Sequence, residues 1–76
     1  MTRSMKRIRK IASHRIVWPD QSEQTLSVVE ILSGVVSRCY PLTTEQPMTE
    51  WLPGTLTLRF DDKGQLRAYY EEKLLE

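Results

Sequence analysis

The sequence contains a single cysteine and a single histidine, and this scarcity excludes two ways of stabilising a small domain. Cys39 cannot form a disulfide within the chain, and together with His14 it supplies too few ligands for a tetrahedral zinc site. We predict no metal and no cofactor. A lone thiol is typical of a reducing compartment, so we expect a cytoplasmic protein.

Long apolar runs are also missing. None approaches the ~18 residues that a membrane-spanning helix requires. Ile8 and Ile11 are separated by Arg9 and Lys10, which interrupts the apolar segment that a signal peptide would need. We therefore expect no membrane partner.

The chain has 76 residues, of which 39% are hydrophobic and 28% are charged, a composition typical of one globular domain. A core of this size contributes only ~3–5 kcal/mol and leaves little room for a large active-site cleft. Self-association is one way for such a domain to bury more surface. We predict a flexible basic arm over residues 1–8 and a single domain over residues 9–76.

Charge is distributed unevenly along the chain. Residues 1–15 carry six basic and no acidic side chains, whereas the remaining residues carry five basic and ten acidic ones. A basic segment of this density favours phosphate binding, but it can also be solvated or pair with Glu71, Glu72 and Glu76. Its basic residues are Arg3, Lys6, Arg7, Arg9, Lys10 and Arg15.

Alternation of side chains predicts a first strand from about Arg9 to Trp18, although residues 1–12 also follow a helical spacing. Pro19 and Asp20 end this strand. Neighbouring side chains of a strand point to opposite faces. One face is then expected to hold Lys10, Ala12, His14, Ile16 and Trp18.

Two further strands are predicted at residues 25–32 and 35–40, which are rich in β-branched side chains. Ser33 and Gly34 between them predict a tight hairpin with Gly34 at positive φ.

Three of the four prolines lie in residues 41–54. Proline has no amide hydrogen for a sheet, so this segment is predicted to be a long irregular loop. A single helical turn can begin within it, at Thr43 with Gln46 or at Thr49.

The clearest strands are predicted at residues 54–60 and 65–70, joined by a turn at residues 61–64. Residues 71–76 are predicted to be a polar tail. In this pairing Leu66, Ala68 and Tyr70 meet Leu56, Leu58 and Phe60 on one face, and Arg59, Arg67 and Tyr69 share the other. The predicted fold is one small all-β domain of about five antiparallel strands, a meander or half-open barrel with one long proline-rich loop.

Few residues are placed for catalysis. A thiol nucleophile needs a nearby base, whereas Cys39 and His14 fall on different predicted strands. Glu45 and Glu50 lie in the proline-rich loop, where carboxylates are normally solvated and keep an ordinary pKa. We predict that the protein is not an enzyme.

Small β domains can bind single-stranded nucleic acid through a basic surface that also offers aromatic stacking platforms. The face with Arg59, Arg67 and Tyr69 combines both properties. A domain that binds nucleic acid tightly usually has a pI above ~9, whereas the pI of this chain is near 7.9. Weak, sequence-tolerant binding of single strands through the basic N-terminal segment is therefore the alternative function.

Tryptophan and tyrosine are enriched at protein-binding hot spots. Trp51 lies between prolines and Tyr40 precedes that segment, although packing in the core also explains both rings. An open sheet edge can accept a strand from a partner or from a second copy. We predict a small non-enzymatic protein-binding or assembly module with the candidate contact residues Arg7, Arg9, Lys10, Arg15, Tyr40, Trp51, Arg59, Arg67 and Tyr69.

Overall fold

The computed structural model describes residues 8–44 and 47–76, which form one open mixed β-sheet of seven strands. The all-β prediction is confirmed for these residues. Across the sheet the order is β3-β2-β1-β5-β6-β7, and β4 pairs with β1. The strands are β1 (Ile8–Val17), β2 (Glu23–Leu32), β3 (Val35–Pro41), β4 (Thr49–Trp51), β5 (Thr55–Phe60), β6 (Leu66–Tyr70) and β7 (Lys73–Leu75).

Strand β1 organises the sheet because both of its edges are paired. One edge pairs antiparallel with β2 along almost its whole length. The other edge pairs parallel with β4 in its first half and parallel with β5 in its second half. The predicted meander of antiparallel strands is wrong here: after β3 the chain returns to the end where β1 begins, so β4 and β5 run in the direction of β1.

Two segments that were expected to be irregular contain short strands. β4 lies inside the predicted proline-rich loop, where Thr49–Trp51 is free of proline and can pair with β1. Thr49 therefore begins a strand instead of a helical turn. The predicted polar tail contains β7, which buries Leu75 against the core. The alternative helical turn includes Gln46, and the basic arm includes residues 1–7, all of which lie outside the described residues.

Both predicted hairpins are confirmed. Ser33 and Gly34 have φ values of 53° and 79°, as a two-residue turn between twisted strands requires. Strands β5 and β6 pair in the predicted register, which sets Leu58 opposite Ala68 and Arg59 opposite Arg67. The turn between them closes with a 3.0 Å hydrogen bond from the Gly64 amide to the Asp61 carbonyl.

The core lies on one face of the curled sheet. The fully buried Ile16 and the half-buried Trp18 pack in this core, although the sequence predicts them on the face of Lys10 and Ala12. The reason is a local break at His14 and Leu26, where the pairing of β1 and β2 lacks a rung and Leu26 has a φ of 42°. The core residues are Ile11, Ile16, Val29, Ile31, Leu56, Leu58, Ala68 and Leu75.

Hydrogen bonds join distant strands at one end of the sheet. Arg67 Nη1 donates to the Gly34 carbonyl at 2.9 Å, and Arg9 Nη1 donates to the Glu76 carbonyl at 3.0 Å. These contacts curl the sheet, while β3 and β7 remain its unpaired edges.

Candidate binding surfaces

The face of β1 to β4 that points away from the core is here called the outer face. Strand register places its side chains in two rows across the four strands. The first row runs Trp51, Ala12, Val28 and Tyr40, and the second runs Thr49, Lys10, Glu30 and Arg38. Three of the predicted contact residues, Lys10, Tyr40 and Trp51, therefore lie on one surface.

Trp51 is the main exposed aromatic side chain of the outer face, with 46% of its surface accessible. Its ring meets the His14 ring edge-on, with 4.7 Å between the centroids and 80° between the planes. His14 Nδ1 in turn accepts a 3.3 Å hydrogen bond from the Gly54 amide. The indole is thus held by its neighbours while one side stays open to solvent.

A buried hydroxyl fixes the chain that follows Trp51. Ser13 is inaccessible to solvent, and its Oγ lies 2.7 Å from the Leu52 carbonyl oxygen and 2.9 Å from that of Gly54. The two acceptors share one hydroxyl hydrogen. Ser13 therefore reinforces the connection between the centre of β1 and the segment between β4 and β5, which two backbone hydrogen bonds also make, from Leu52 to Ala12 and from Arg15 to Gly54.

A buried carboxylate organises the second row. Glu30 is 5% exposed, and its Oε2 accepts a 2.5 Å hydrogen bond from the Tyr40 hydroxyl. This hydrogen bond to Glu30 is the main reason that the pKa of Tyr40 is raised. The Arg38 guanidinium lies over the Tyr40 ring, 5.1 Å from its centroid. Tyr40 is therefore held by two contacts, a hydrogen bond from its hydroxyl to Glu30 and the Arg38 guanidinium over its ring.

Three of the predicted contact arginines form ion pairs with carboxylates of the same chain. Arg9 forms two hydrogen bonds with the Glu50 carboxylate, at 2.7 and 3.0 Å. Arg15 lies 3.4 Å from a Glu23 carboxylate oxygen, and Arg67 Nε lies 3.0 Å from an Asp61 oxygen. These side chains connect strands and turns. Arg7, which is also among the predicted contact residues, lies outside the described residues.

Arg59 and Tyr69 form a separate pair on β5 and β6. The Arg59 guanidinium lies 5.0 Å from the Tyr69 ring centroid. Arg59 takes part in none of the three ion pairs found among residues 8–44 and 47–76. No carboxylate in this part of the chain therefore forms an ion pair with Arg59.

A groove opens at the end of β1 that is opposite to Ile8. It consists of two adjoining cavities of about 270 and 500 Å³ that share Trp18, Pro19 and Phe60. Phe60 is 63% exposed, and the Trp18 indole is fixed by a 2.7 Å hydrogen bond to Gln24 Oε1. This groove is absent from the predicted sites, which include neither Trp18 nor Phe60.

The side chains considered for catalysis are Cys39, His14, Glu45 and Glu50. Cys39 packs against the core, whereas His14 lies on the outer face, so the sheet separates them. Burial raises the pKa of the Cys39 thiol to about 11. The hydrogen bond from Arg9 lowers the pKa of Glu50, which favours the ionised carboxylate over a proton donor. Glu45 lies outside the described residues.

Sequence reasoning missed the surface roles of His14, Glu30, Arg38 and Phe60. Cross-strand register brings Glu30 next to both Lys10 and Arg38, and this register becomes visible only when the bulge between β2 and β3 is known. The available signal was the alternation of Lys10 with Ala12 and His14, which correctly groups these three residues on one face.

The described part of the chain holds no cluster of three or more histidine, cysteine or acidic residues suited to a metal ion. It also contains no helix that could cross a membrane. Comparisons of the chain with protein-family models, with curated proteins and with solved structures gave no match.

Proposed function

We propose that this protein is a small non-enzymatic protein-binding module of the cytoplasm and that it contacts its partner through the outer face. The observation that carries the proposal is the half-exposed Trp51 ring held edge-on against His14. A large ring that is already immobilised loses little conformational entropy when a partner covers it. Such rings are the usual anchors of protein interfaces.

The surroundings of Trp51 support this assignment. Ala12 and Val28 are almost inaccessible although they lie on the outer face, so the larger side chains around them exclude water. Lys10 and Arg38 flank these apolar residues and give the surface a polar rim. The accessible apolar surface of the outer face is therefore the Trp51 ring, and an aromatic centre with a charged rim is the common layout of a protein-binding patch.

The proposal is tested by comparing Trp51→Ala with Leu74→Ala, a truncation at another exposed apolar position. Both tagged variants and the wild type are used to capture proteins from cells, after circular dichroism has shown that each is folded. We expect a partner that the wild type and Leu74→Ala retain and Trp51→Ala loses. Equal recovery by all three variants would contradict the proposal. Self-association is measured on the same proteins by sedimentation equilibrium.

Binding of single-stranded nucleic acid is the second candidate function, favoured by the two arginine–tyrosine stacks Arg38–Tyr40 and Arg59–Tyr69. Bases can stack on such surfaces, and the affinity falls steeply with salt because counterions are released. Amide shifts are followed while mixed single-stranded RNA and DNA are added at low and high salt. Shifts at Lys10, Arg38 and Tyr40 that vanish at high salt would favour this function over protein binding.

A further inference from the structure

The groove beside Trp18 lies next to an unpaired stretch of β5. The last pair between β1 and β5 joins Val17 to Thr57, whereas β5 continues to Phe60. Within the described residues no strand covers this side of Leu58–Phe60, because the chain turns away at Pro19. An uncovered edge presents backbone donors and acceptors to which an added strand can bind.

The two sides of this edge differ in chemistry. Trp18, Pro19 and the exposed Phe60 form an apolar wall. The turn that carries this wall is fixed by two 2.8 Å backbone hydrogen bonds, from Trp18 to Ser22 and from Gln21 to Trp18. Arg59 alternates with Phe60 along the strand and therefore points to the opposite face.

Two charged side chains, Asp20 and Arg59, line the groove, and they differ in the contacts that they make within the protein. Asp20 accepts hydrogen bonds from the amide and the hydroxyl of Ser22, at 2.9 and 2.6 Å. Arg59 contacts the Tyr69 ring and has no carboxylate partner in the described residues. The groove thus favours an occupant that brings a negative charge to Arg59.

We propose that this groove binds an extended segment of a partner protein in which a large apolar residue is directly next to an acidic residue. Successive side chains of a strand point to opposite faces. A segment that pairs with the free edge of β5 therefore directs its apolar side chain between Trp18 and Phe60 and its neighbouring carboxylate towards Arg59. This site is independent of the outer face.

The probe is a blocked pentapeptide of threonine, phenylalanine, glutamate, valine and threonine, added at millimolar concentration to the 15N-labelled protein. We expect amide shifts at Leu58–Phe60 and at the Trp18 indole. Two matched peptides, with lysine in place of glutamate or alanine in place of phenylalanine, should each bind about tenfold more weakly. Equal binding of all three peptides, or no shift with any of them, would show that the proposed chemistry is wrong.

Protein variants locate the site. Phe60→Ala should weaken peptide binding about tenfold, whereas Leu74→Ala, the truncation of another exposed apolar residue, should not change it. Arg59→Glu should weaken binding at low salt more than Lys63→Glu, which makes the same charge change outside the groove. Shifts centred on Trp51 instead, or undiminished binding by Phe60→Ala, would overturn the assignment to the groove.

Discussion

At the scale of single residues, Ser13 contributes more than its small side chain suggests. Its buried hydroxyl is shared by the carbonyl oxygens of Leu52 and Gly54, at 2.7 and 2.9 Å. We expect Ser13→Ala to lower the free energy of unfolding by about 1–2 kcal/mol, because the Leu52 carbonyl loses its side-chain donor. Urea unfolding measures this loss.

The control for Ser13→Ala is Ser37→Ala, which also removes a hydroxyl bonded to a carbonyl, here that of Glu30 at 3.3 Å, but at an exposed position. Its effect should stay within about 0.5 kcal/mol. Equal urea midpoints for both variants would contradict the role of Ser13.

Cys39 should be an unreactive thiol. Burial raises its pKa from 9.0 to about 11, so at about pH 8 the folded protein holds about a hundredfold less thiolate than the unfolded chain. The neutral thiol is favoured in the fold. The stability gained by this burial is therefore present below pH 9.0 and is lost as the pH rises towards 11.

Ellman's reagent measures the reactivity of Cys39 in native and urea-unfolded protein. We expect a reaction that is at least tenfold slower in the native state. Similar rates in both states would mean that the thiol is neither buried nor raised in pKa.

At the scale of elements, the β2–β3 hairpin depends on Gly34. Its φ is +79°, and a Cβ at this position would lie 2.7 Å from Arg67 Nη1, which donates to the carbonyl of the same glycine. Gly34→Ala should cost about 2 kcal/mol, of which roughly half is backbone strain and the rest the displaced Arg67 contact.

Gly64 provides a matched comparison, since its φ is also +79° and the space around its added Cβ is open. Gly64→Ala should cost about 1 kcal/mol from the backbone alone. In an Arg67→Met background the two glycine substitutions should have similar costs. A persistent difference in that background would mean that Arg67 is not its cause.

Some of the strand pairings could be predicted from the sequence and others could not. The β5–β6 register followed from alternation in residues 55–60 and 66–70, because one face of each strand is apolar. The parallel pairing of β4 with β1 could not be predicted, since Thr49–Trp51 is too short for a periodic signal. The position of Ile16 in the core could not be predicted either. It depends on the break in pairing at Leu26, and leucine is not a residue type that indicates positive φ.

The candidate sites were predictable to a similar extent. Grouping Lys10 with His14 required only strand periodicity, and Tyr40 and Trp51 were recognisable by residue type. The internal use of Arg9 depends on Glu50, 41 positions away in sequence, and no local pattern carries that information.

At the scale of the whole molecule, β1 joins the two halves of the sheet because both of its edges are paired, and we expect the sheet to unfold as one unit. Trp18 follows one end of β1, while Trp51 pairs with Ala12 nearer the other end. Both indoles should therefore report the same urea midpoint, as two-state unfolding requires.

Single-tryptophan variants, Trp18→Phe and Trp51→Phe, measure this cooperativity by fluorescence against far-UV circular dichroism. In each variant the two signals should give coincident transitions. An earlier fluorescence transition in Trp18→Phe, where Trp51 alone emits, would show that β4 separates from β1 before the rest unfolds.

The parallel pairing of β1 has a consequence for synthesis on the ribosome. Ile16 pairs with Leu56, so the second half of this edge of β1 has no partner until a further 40 residues have been translated. At ordinary elongation rates this interval lasts about 2 to 8 s. Once Leu32 completes the β1–β2 hairpin, this part of its edge and its apolar face remain without a partner strand until β5 is added.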